Sequence, residues 1–292
     1  MRLVEMVPEE ARLRIIIVGA GLSGIAAAIS CASSGHLVQV IEQAKELAEV
    51  GAGLQITPNA SRLLNHWQLP ASFWESAAEP TTVTVHRYTG QVLAHEDGFH
   101  KNIRAKYNAP FVDFHRGDLQ RALFSRANEL EVTFHLNERA ETINFNMATV
   151  HTAAGNQYNG DLIIAADGLW SRCRECFFGQ KDEPLPTGDL AYRIVLRADQ
   201  ISDPELKAWI ENPQVHFWIG PGAHVVAYSM RGGSMFNLVL LVPDDLPVGV
   251  ARQTGSVDEM RMLFADWDPI LTRFLSYVGH VDKWKLMHRG LH

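Results

Sequence analysis

The stretch "RIIIVGAGLSGIAAAISCASSGHLVQVIEQ", residues 14–43, decides the fold of this chain. Residues 14–18 are mostly β-branched and are followed by glycine, which predicts a short buried strand. The alanine-rich run after the glycines predicts a helix that closes at Gly35. Residues 37–42 then predict a second strand. The order is strand, glycine-rich turn, helix, strand, which is a βαβ unit.

The three glycines of the turn, Gly19, Gly21 and Gly24, form a G-x-G-x-x-G pattern. Gly19 allows a tight turn, Gly21 lets a pyrophosphate approach the backbone, and Gly24 lets the helix pack closely on the strand. The helix N-terminus offers free N–H groups to the phosphates. Glu42 follows roughly 20 residues later, where an acid accepts hydrogen bonds from ribose hydroxyls. The pattern predicts a dinucleotide site with an unphosphorylated ribose, hence FAD or NAD rather than NADP.

Composition and charge argue against several other classes of protein. The 292 residues are 47% apolar and carry a formal charge of −7 without a basic block, which argues against a nucleic-acid partner. The amino-terminal residues lack the apolar core of a secretory signal, and no apolar run is long enough for a membrane span. We expect a cytoplasmic protein without a membrane partner.

Cysteine and histidine usage points away from disulfides and metals. The three cysteines, Cys31, Cys173 and Cys176, form no disulfide framework. Cys173 and Cys176 are spaced as C-x-x-C but lack a second pair, so we interpret them as helix packing rather than a zinc or redox site. The 13 histidines are dispersed and show no H-E-x-x-H pattern. No metal is expected.

Three further segments carry motifs. In "VGAGLQITPNASRLLNHWQL", residues 50–69, a glycine pair precedes an extended segment and then a helix with Leu63, Leu64 and Trp67 on one face. In "HRGDLQRALFSRA", residues 115–127, Asp118 is expected to cap a helix.

The third segment is "DLIIAADGLWSRCRECFFG", residues 161–179. It begins as a buried strand, from which Asp167 and Gly168 turn out. An acid and a glycine at the carboxyl end of a strand lie on the ligand-binding edge of an open α/β sheet.

Taken in order, these motifs resemble the single-component flavoprotein aromatic hydroxylases of the salicylate hydroxylase type, which include fungal biosynthetic monooxygenases. The resemblance implies that the first three glycines hold the FAD pyrophosphate and that Glu42 holds the adenosine ribose. It also implies that Gly53 lies near the flavin, that Arg116 contacts the cofactor, and that Asp167 and Gly168 belong to a motif for FAD and NAD(P)H.

The resemblance extends into "GDLAYRIVL" and "FWIGPGAHVVAYSM", which in this family are strands of a substrate-covering sheet. Arg193 and Tyr228 match the positions where some members face an Arg and a Tyr towards the substrate. The implied reaction uses NADH or NADPH to reduce FAD, and O2 to give a C4a-hydroperoxide that hydroxylates a phenolic small molecule. Arg193 would stabilise the phenolate or a carboxylate, and Tyr228 would orient the ring hydroxyl.

The expected fold class is α/β: a Rossmann-like FAD-binding domain of the p-hydroxybenzoate hydroxylase type, interleaved with a mostly antiparallel substrate-binding sheet. The FAD-binding domain takes residues 11–80 and 105–180, and the sheet domain takes 81–104 and 181–285. A hairpin that turns at Thr89 and Gly90 joins the later strands, and two helices follow near the end.

The family's third fingerprint, a Gly-Asp segment followed by a long helix, is absent from this sequence, so we interpret the chain as lacking the carboxyl-terminal closing part of the FAD domain. One expectation is that these 292 residues bind FAD weakly or not at all. Two alternatives stay open. The chain could be a truncated inactive paralogue, or a flavin amine oxidase, although amine oxidases usually continue with a Gly-Gly-Arg segment that is missing here.

Overall fold

The computed structural model describes residues 8–47 and 52–290. The strands are β1 (Arg14–Val18), β2 (Leu37–Ile41), β3 (Gly53–Ile56), β4 (Thr82–Arg87), β5 (Val92–Asp97), β6 (Val112–His115), β7 (Thr133–His135), β8 (Ala140–Asn144), β9 (Thr149–Thr152), β10 (Gln157–Asn159), β11 (Leu162–Ala165), β12 (Leu185–Arg197), β13 (Gln214–Gly220), β14 (Ala223–Met230), β15 (Met235–Pro243), β16 (Arg252–Thr254) and β17 (Asp282–His288). The α-helices are α1 (Leu22–Ser33), α2 (Pro58–His66), α3 (Ala71–Glu75), α4 (Phe99–Tyr107), α5 (Arg116–Glu129), α6 (Arg172–Phe178), α7 (Pro204–Glu211), α8 (Val257–Leu263) and α9 (Pro269–Ser276).

A parallel sheet with the strand order β11-β1-β2-β7 carries the predicted βαβ unit. Strand β1 is central, and its residues Ile15 to Val18 are buried. Helix α1 packs on this sheet through Ile25, Ala28 and Ile29. The predicted strand, turn, helix and second strand are therefore confirmed.

The strand at 162–165 is less buried than its sequence suggests. We predicted a buried strand, but Leu162 is 43% exposed and the other residues of β11 are only partly covered or exposed. The reason is topological, because β11 pairs only with β1 among the described residues and forms an edge of the sheet.

An eight-stranded sheet with the order β16-β17-β12-β15-β14-β13-β4-β5 forms the second layer. All its pairs are antiparallel except β13 with β4, which confirms the mostly antiparallel prediction. The predicted hairpin is β4–β5, with Gly90 at a φ of 94° in the turn. One face packs against α7, α8 and α9 around Trp218, Phe236 and Phe274.

A two-stranded ribbon, β3 with β6, lies between these two sheets. Phe114 of the ribbon packs into the core of the parallel-sheet layer and stacks on Phe73 with ring centroids 4.1 Å apart. Alternate residues point the other way, and Gly53 lies directly against Tyr228 of the eight-stranded sheet. The ribbon therefore links the parallel-sheet layer to the second sheet.

Two helix details differ from the predictions. Leu63 is 51% exposed, because the buried face of α2 is formed by Ser61 and Leu64. Asp118 does not cap α5, because the helix begins two residues earlier and its N-cap is His115.

The glycine pair expected at 51 and 53 is described only from residue 52 onward, since residues 48–51 lie outside the described residues. None of the helices in the described ranges is long and apolar enough to cross a bilayer.

Candidate functional site

A cleft of about 230 Å³ opens at the carboxyl ends of β1 and β2. It brings together five of the predicted residues, which are Gly19, Gly21, Glu42, Asp167 and Gly168. The cleft lies where parallel strands end, which is the ligand-binding edge of such sheets. Residues from four separate parts of the chain therefore converge on one concave surface.

The three glycines of the turn have distinct steric environments. Gly19 has a φ of 103°, and a Cβ there would lie 2.5 Å from the Ala166 carbonyl oxygen. A Cβ on Gly24 would overlap the Gly19 carbonyl, because α1 packs directly on the turn. Gly21 has open space around its Cα and lines the cleft. Only Gly21 is thus free of steric contacts on the side from which a ligand approaches.

Glu42 follows β2 and ties the strand end to the glycine turn. Its Oε2 accepts a hydrogen bond from the Ala20 N–H at 2.6 Å, and its Oε1 accepts one from the Ala44 N–H at 2.8 Å. Because each carboxylate oxygen has further lone pairs, the group can still accept bonds from a sugar.

Asp167 organises the other wall of the cleft. Its Oδ1 accepts a bond from the Ser171 hydroxyl at 2.6 Å, and its Oδ2 accepts one from the Cys173 N–H at 2.9 Å. Gly168 follows in the left-handed region with a φ of 73°. Burial, followed by the charge of Asp167, raises the pKa of the Cys173 thiol, which makes it an inert packing residue.

Sequence reasoning did not assign Glu138, Arg139, Trp170 and Arg172 to the site, although all four line the cleft. Arg172 is held by the Glu141 carbonyl at 2.9 Å and by the Glu175 carboxylate at 2.8 Å. Glu138 and Arg139 precede β8 and have no motif around them, so no sequence signal could have placed them. Trp170 is 61% exposed.

Of the five predicted residues outside the cleft, Gly24 packs under the glycine turn, and the other four meet at the ribbon and the eight-stranded sheet: Gly53, Arg116, Arg193 and Tyr228. A Cβ on Gly53 would lie 2.5 Å from Tyr228 Cε2. The Gly53 N–H donates to Asn237 Oδ1 at 2.9 Å. Tyr228 is buried, and Asn237 is its neighbour on β15. None of the four lines the cleft described above.

Arg193 lies on the open face of β12, and its guanidinium carbon is 5.1 Å from the centre of the Trp284 ring. Although part of the side chain is exposed, the surrounding protein and then the charge of Arg116 lower its pKa. Arg116 begins α5, and its backbone N–H donates to the Ala52 carbonyl at 2.9 Å. Two cations therefore share this region, which favours an anionic ligand.

The described residues contain no group of three or more His, Cys, Asp or Glu side chains that could hold a metal ion. Cys173 and Cys176 are free thiols on α6 at helical spacing.

Comparison with known proteins identifies the family of this chain. A family described as "FAD binding domain" matches residues 12–237, which is most of the chain. The chain therefore belongs to the FAD-binding domain family found in flavoprotein monooxygenases.

Its relatives define the family further. It is 48% identical over 280 residues to the FAD-dependent monooxygenase OpS4 of Beauveria bassiana, covering 94% of this chain and 66% of that protein. It is 30% identical over 282 residues to a 3-hydroxybenzoate 6-hydroxylase of Polaromonas naphthalenivorans, covering 96% and 69%. The chain thus spans about two thirds of the length of these curated relatives. The structure of CtdE with FAD and substrate shares the fold, with a TM-score of 0.82 at 21% identity over 94% of this chain and 69% of that one.

Proposed function

We propose that this chain carries the cofactor-binding and substrate-binding parts of an FAD-dependent monooxygenase that hydroxylates a phenolic small molecule with NADH or NADPH and O2. The observation that carries the proposal is the convergence of the glycine turn, Glu42 and Asp167 on one cleft. The second group of residues, around Arg193 and Tyr228, supplies a separate site for an aromatic anion.

The cleft fits the dinucleotide part of FAD. Among the described residues no side chain caps the amino end of α1, so its first N–H groups are available to a pyrophosphate. Gly21 leaves the approach open, and Glu42 is placed to accept the ribose hydroxyls. Bound FAD would carry out the chemistry with O2, and the protein would bind and orient the cofactor and the substrate.

Arg193 and Tyr228 suit an electron-rich ring that carries a phenolate or a carboxylate. A guanidinium forms strong charge-assisted bonds to such oxygens. The relatives include proteins named 3-hydroxybenzoate 6-hydroxylase and hispidin-3-hydroxylase, which supports a hydroxylated aromatic substrate. Gly53 lies beside Tyr228, so a segment that would contact the flavin adjoins the residues that would bind the aromatic substrate.

We also propose the domain division given by the sequence. The strands of the parallel sheet all lie within 11–80 and 105–180, and those of the large sheet lie within 81–104 and 181–288. The division therefore follows the two sheets, with β17 extending the second domain by three residues.

The test is oxidation of NADH and NADPH by the purified chain with a panel of phenols. FAD is supplied in large excess because we expect the chain to bind it weakly, and the products are analysed by mass spectrometry. We expect phenol-dependent oxidation and a product heavier by one oxygen atom. Arg193→Ala should lower kcat/KM roughly a hundredfold, about the loss of one charged hydrogen bond to a bound anion. An unchanged kcat/KM in this variant would remove Arg193 from the proposal.

A further inference from the structure

A buried carboxyl that no motif predicted lies in the ribbon between the two sheets. Asp113 is 1% exposed and sits on β6, directly opposite Gln55 on β3. Along the ribbon, Phe114 points into the parallel-sheet layer, so Asp113 points towards the eight-stranded sheet that carries Tyr228.

The two oxygens of Asp113 have different surroundings. Oδ1 accepts a hydrogen bond from Gln55 Nε2 at 3.0 Å. Oδ2 is buried and has no hydrogen-bond partner among residues 8–47 and 52–290. Asn237 Nδ2, beside Tyr228, is buried without a partner in the same described ranges. A buried carboxyl oxygen normally has a partner, so this layer has capacity for one more polar contact.

The charges that face Asp113 do not favour its anion. Burial raises its pKa well above the usual value, and the Gln55 bond opposes this only in part. His115, two residues along β6, has its pKa lowered, first by burial and then by Arg231, which favours its neutral form. The charge of Arg193 on β12 lowers the pKa of Tyr228.

Tyr228 is coupled to Asp113. Burial raises the pKa of the Tyr228 phenol first, an ionised Asp113 would raise it further, and Arg193 opposes both. Tyr228 therefore keeps its proton near neutral pH, and that proton can point in one of two directions. If the Tyr228 O–H points at Asp113, it cannot donate to a ligand. If it points at the ligand site, it can donate a hydrogen bond there.

We propose that Asp113 is a positioning residue that stays protonated and donates its hydrogen bond towards Tyr228 Oη through one bridging water. Tyr228 then turns its own O–H towards an anionic oxygen of the aromatic ligand, next to Arg193. A carboxylic acid held neutral in an apolar site is known to serve as a hydrogen-bond donor of this kind. The inference rests on the proposed function, because it assigns a residue to the same ligand site.

The proposal separates two roles that a buried aspartate can have. As a neutral donor it can be replaced by the amide of Asn, which also donates. As an ionised base it cannot, because the amide takes up no proton. Asp113→Asn and Asp113→Leu, whose side chains have the same number of heavy atoms and the same branching, therefore distinguish the two roles. Ser229→Ala is the matched control, because Ser229 is also buried without a side-chain partner in the described ranges but lies on the opposite face of β14.

The experiment measures binding of 4-nitrophenol to the FAD-supplemented protein, followed by the visible absorbance of its phenolate. We expect Asp113→Leu to weaken phenolate binding roughly tenfold, and Asp113→Asn and Ser229→Ala to stay within about threefold of wild type. In a Tyr228→Phe background, Asp113→Leu should have no further effect, because Asp113 acts through the Tyr228 hydroxyl.

The alternative outcomes are distinct. If Asp113→Asn weakens binding as much as Asp113→Leu does, Asp113 acts as an ionised group and the inference is wrong. If neither changes binding while Arg193→Ala does, the inference is wrong and the proposed function stands. If the wild type binds no phenolate, both are wrong. Should Asp113→Leu fail to fold, Asp113→Asn decides by itself: a preserved affinity and pH profile supports the inference, and a lost one overturns it.

Discussion

Glu42 Oε2 accepts a hydrogen bond of 2.6 Å from the backbone N–H of Ala20, inside the glycine turn. The bond joins the end of β2 to the turn that follows β1, although the two residues are far apart in sequence. It fixes the carboxylate at the rim of the cleft, next to the backbone that would hold a pyrophosphate. The position of this acid therefore follows from the turn itself.

Replacing Glu42 by Gln should weaken FAD binding. The amide keeps the size of the side chain but loses the charge, so the bond to the ribose weakens and the Kd for FAD should rise about tenfold or more. Fluorescence titration of FAD measures this. Glu46→Gln, an exposed acid in the next loop, is the control and should bind as wild type does. Equal affinities of the wild type and Glu42→Gln would contradict the assignment of Glu42.

Alanine substitutions at Gly24 and Gly21 should affect different properties, which are stability at Gly24 and FAD binding at Gly21. A Cβ at Gly24 overlaps the Gly19 carbonyl, so Gly24→Ala should lower the free energy of unfolding by about 1–3 kcal/mol or more. A Cβ at Gly21 meets no atom of the described residues within 4 Å, so the free energy of unfolding of Gly21→Ala should lie within about 1 kcal/mol of the wild-type value. The same variant should bind FAD poorly, because the methyl group would stand in the path of the pyrophosphate. Thermal unfolding and FAD titration of both variants test this contrast. Unimpaired FAD binding by Gly21→Ala would mean that the pyrophosphate does not pass over this turn.

The sequence was sufficient for the nucleotide cleft because its signals are local. The spacing of the glycines and the distance to Glu42 are set by one βαβ unit, and Gly19, Gly21 and Glu42 line one cavity. The hairpin at Gly90 and the helix that begins at Pro269 were predictable for the same reason.

The rest of the site depends on contacts between distant segments. Asp113 reads as an ordinary strand residue, and only the antiparallel register of the ribbon places it opposite Gln55. Asp118 has the sequence position of a helix cap, but it pairs instead with Arg231, more than a hundred residues away. The exposure of β11 follows from its place at the sheet edge, which depends on strand order rather than on hydrophobicity.

The pair of Asp118 and Arg231 should stabilise the contact between α5 and the large sheet. Arg231 donates from Nε to Oδ2 at 2.7 Å and from Nη2 to Oδ1 at 2.8 Å. Arg231→Ala should lower the free energy of unfolding by about 1–2 kcal/mol, because it leaves a partly buried carboxylate without its main partner. Urea unfolding measures the change. Arg197→Ala is the matched control, since the Arg197–Asp199 pair is exposed on both sides and should contribute little. Equal losses in the two variants would contradict this view.

Stability should fall with acid because of a buried histidine pair. His216 Nδ1 and His86 Nε2 are 3.1 Å apart, and burial, followed by the charge of His86, lowers the pKa of His216 to about 3. Below pH ~6.5 His216 binds a proton in the unfolded chain but not in the folded protein. The contribution of His216 to the free energy of unfolding is therefore fully present above that pH and is lost as the pH falls towards about 3.

The expected slope for His216 is about 1.4 kcal/mol per pH unit. His216→Phe keeps the ring stacked on Trp209 and should flatten the acid side of the stability curve by this amount. Urea unfolding between pH 4 and about 7 measures the slope. His280→Phe, at an exposed histidine, is the control. An unchanged slope in His216→Phe would show that His216 is not the group responsible.

The most direct test of the whole account is hydrogen–deuterium exchange of the backbone with and without FAD. The first amides of α1 have no partner within the helix, so they should exchange quickly in the free protein. We predict that saturating FAD slows exchange at residues 19–24 and beside Glu42 roughly tenfold. If FAD binds and slows exchange only at other residues, while exchange at residues 19–24 is unchanged, the glycine turn does not hold the cofactor. That result would contradict the central claim.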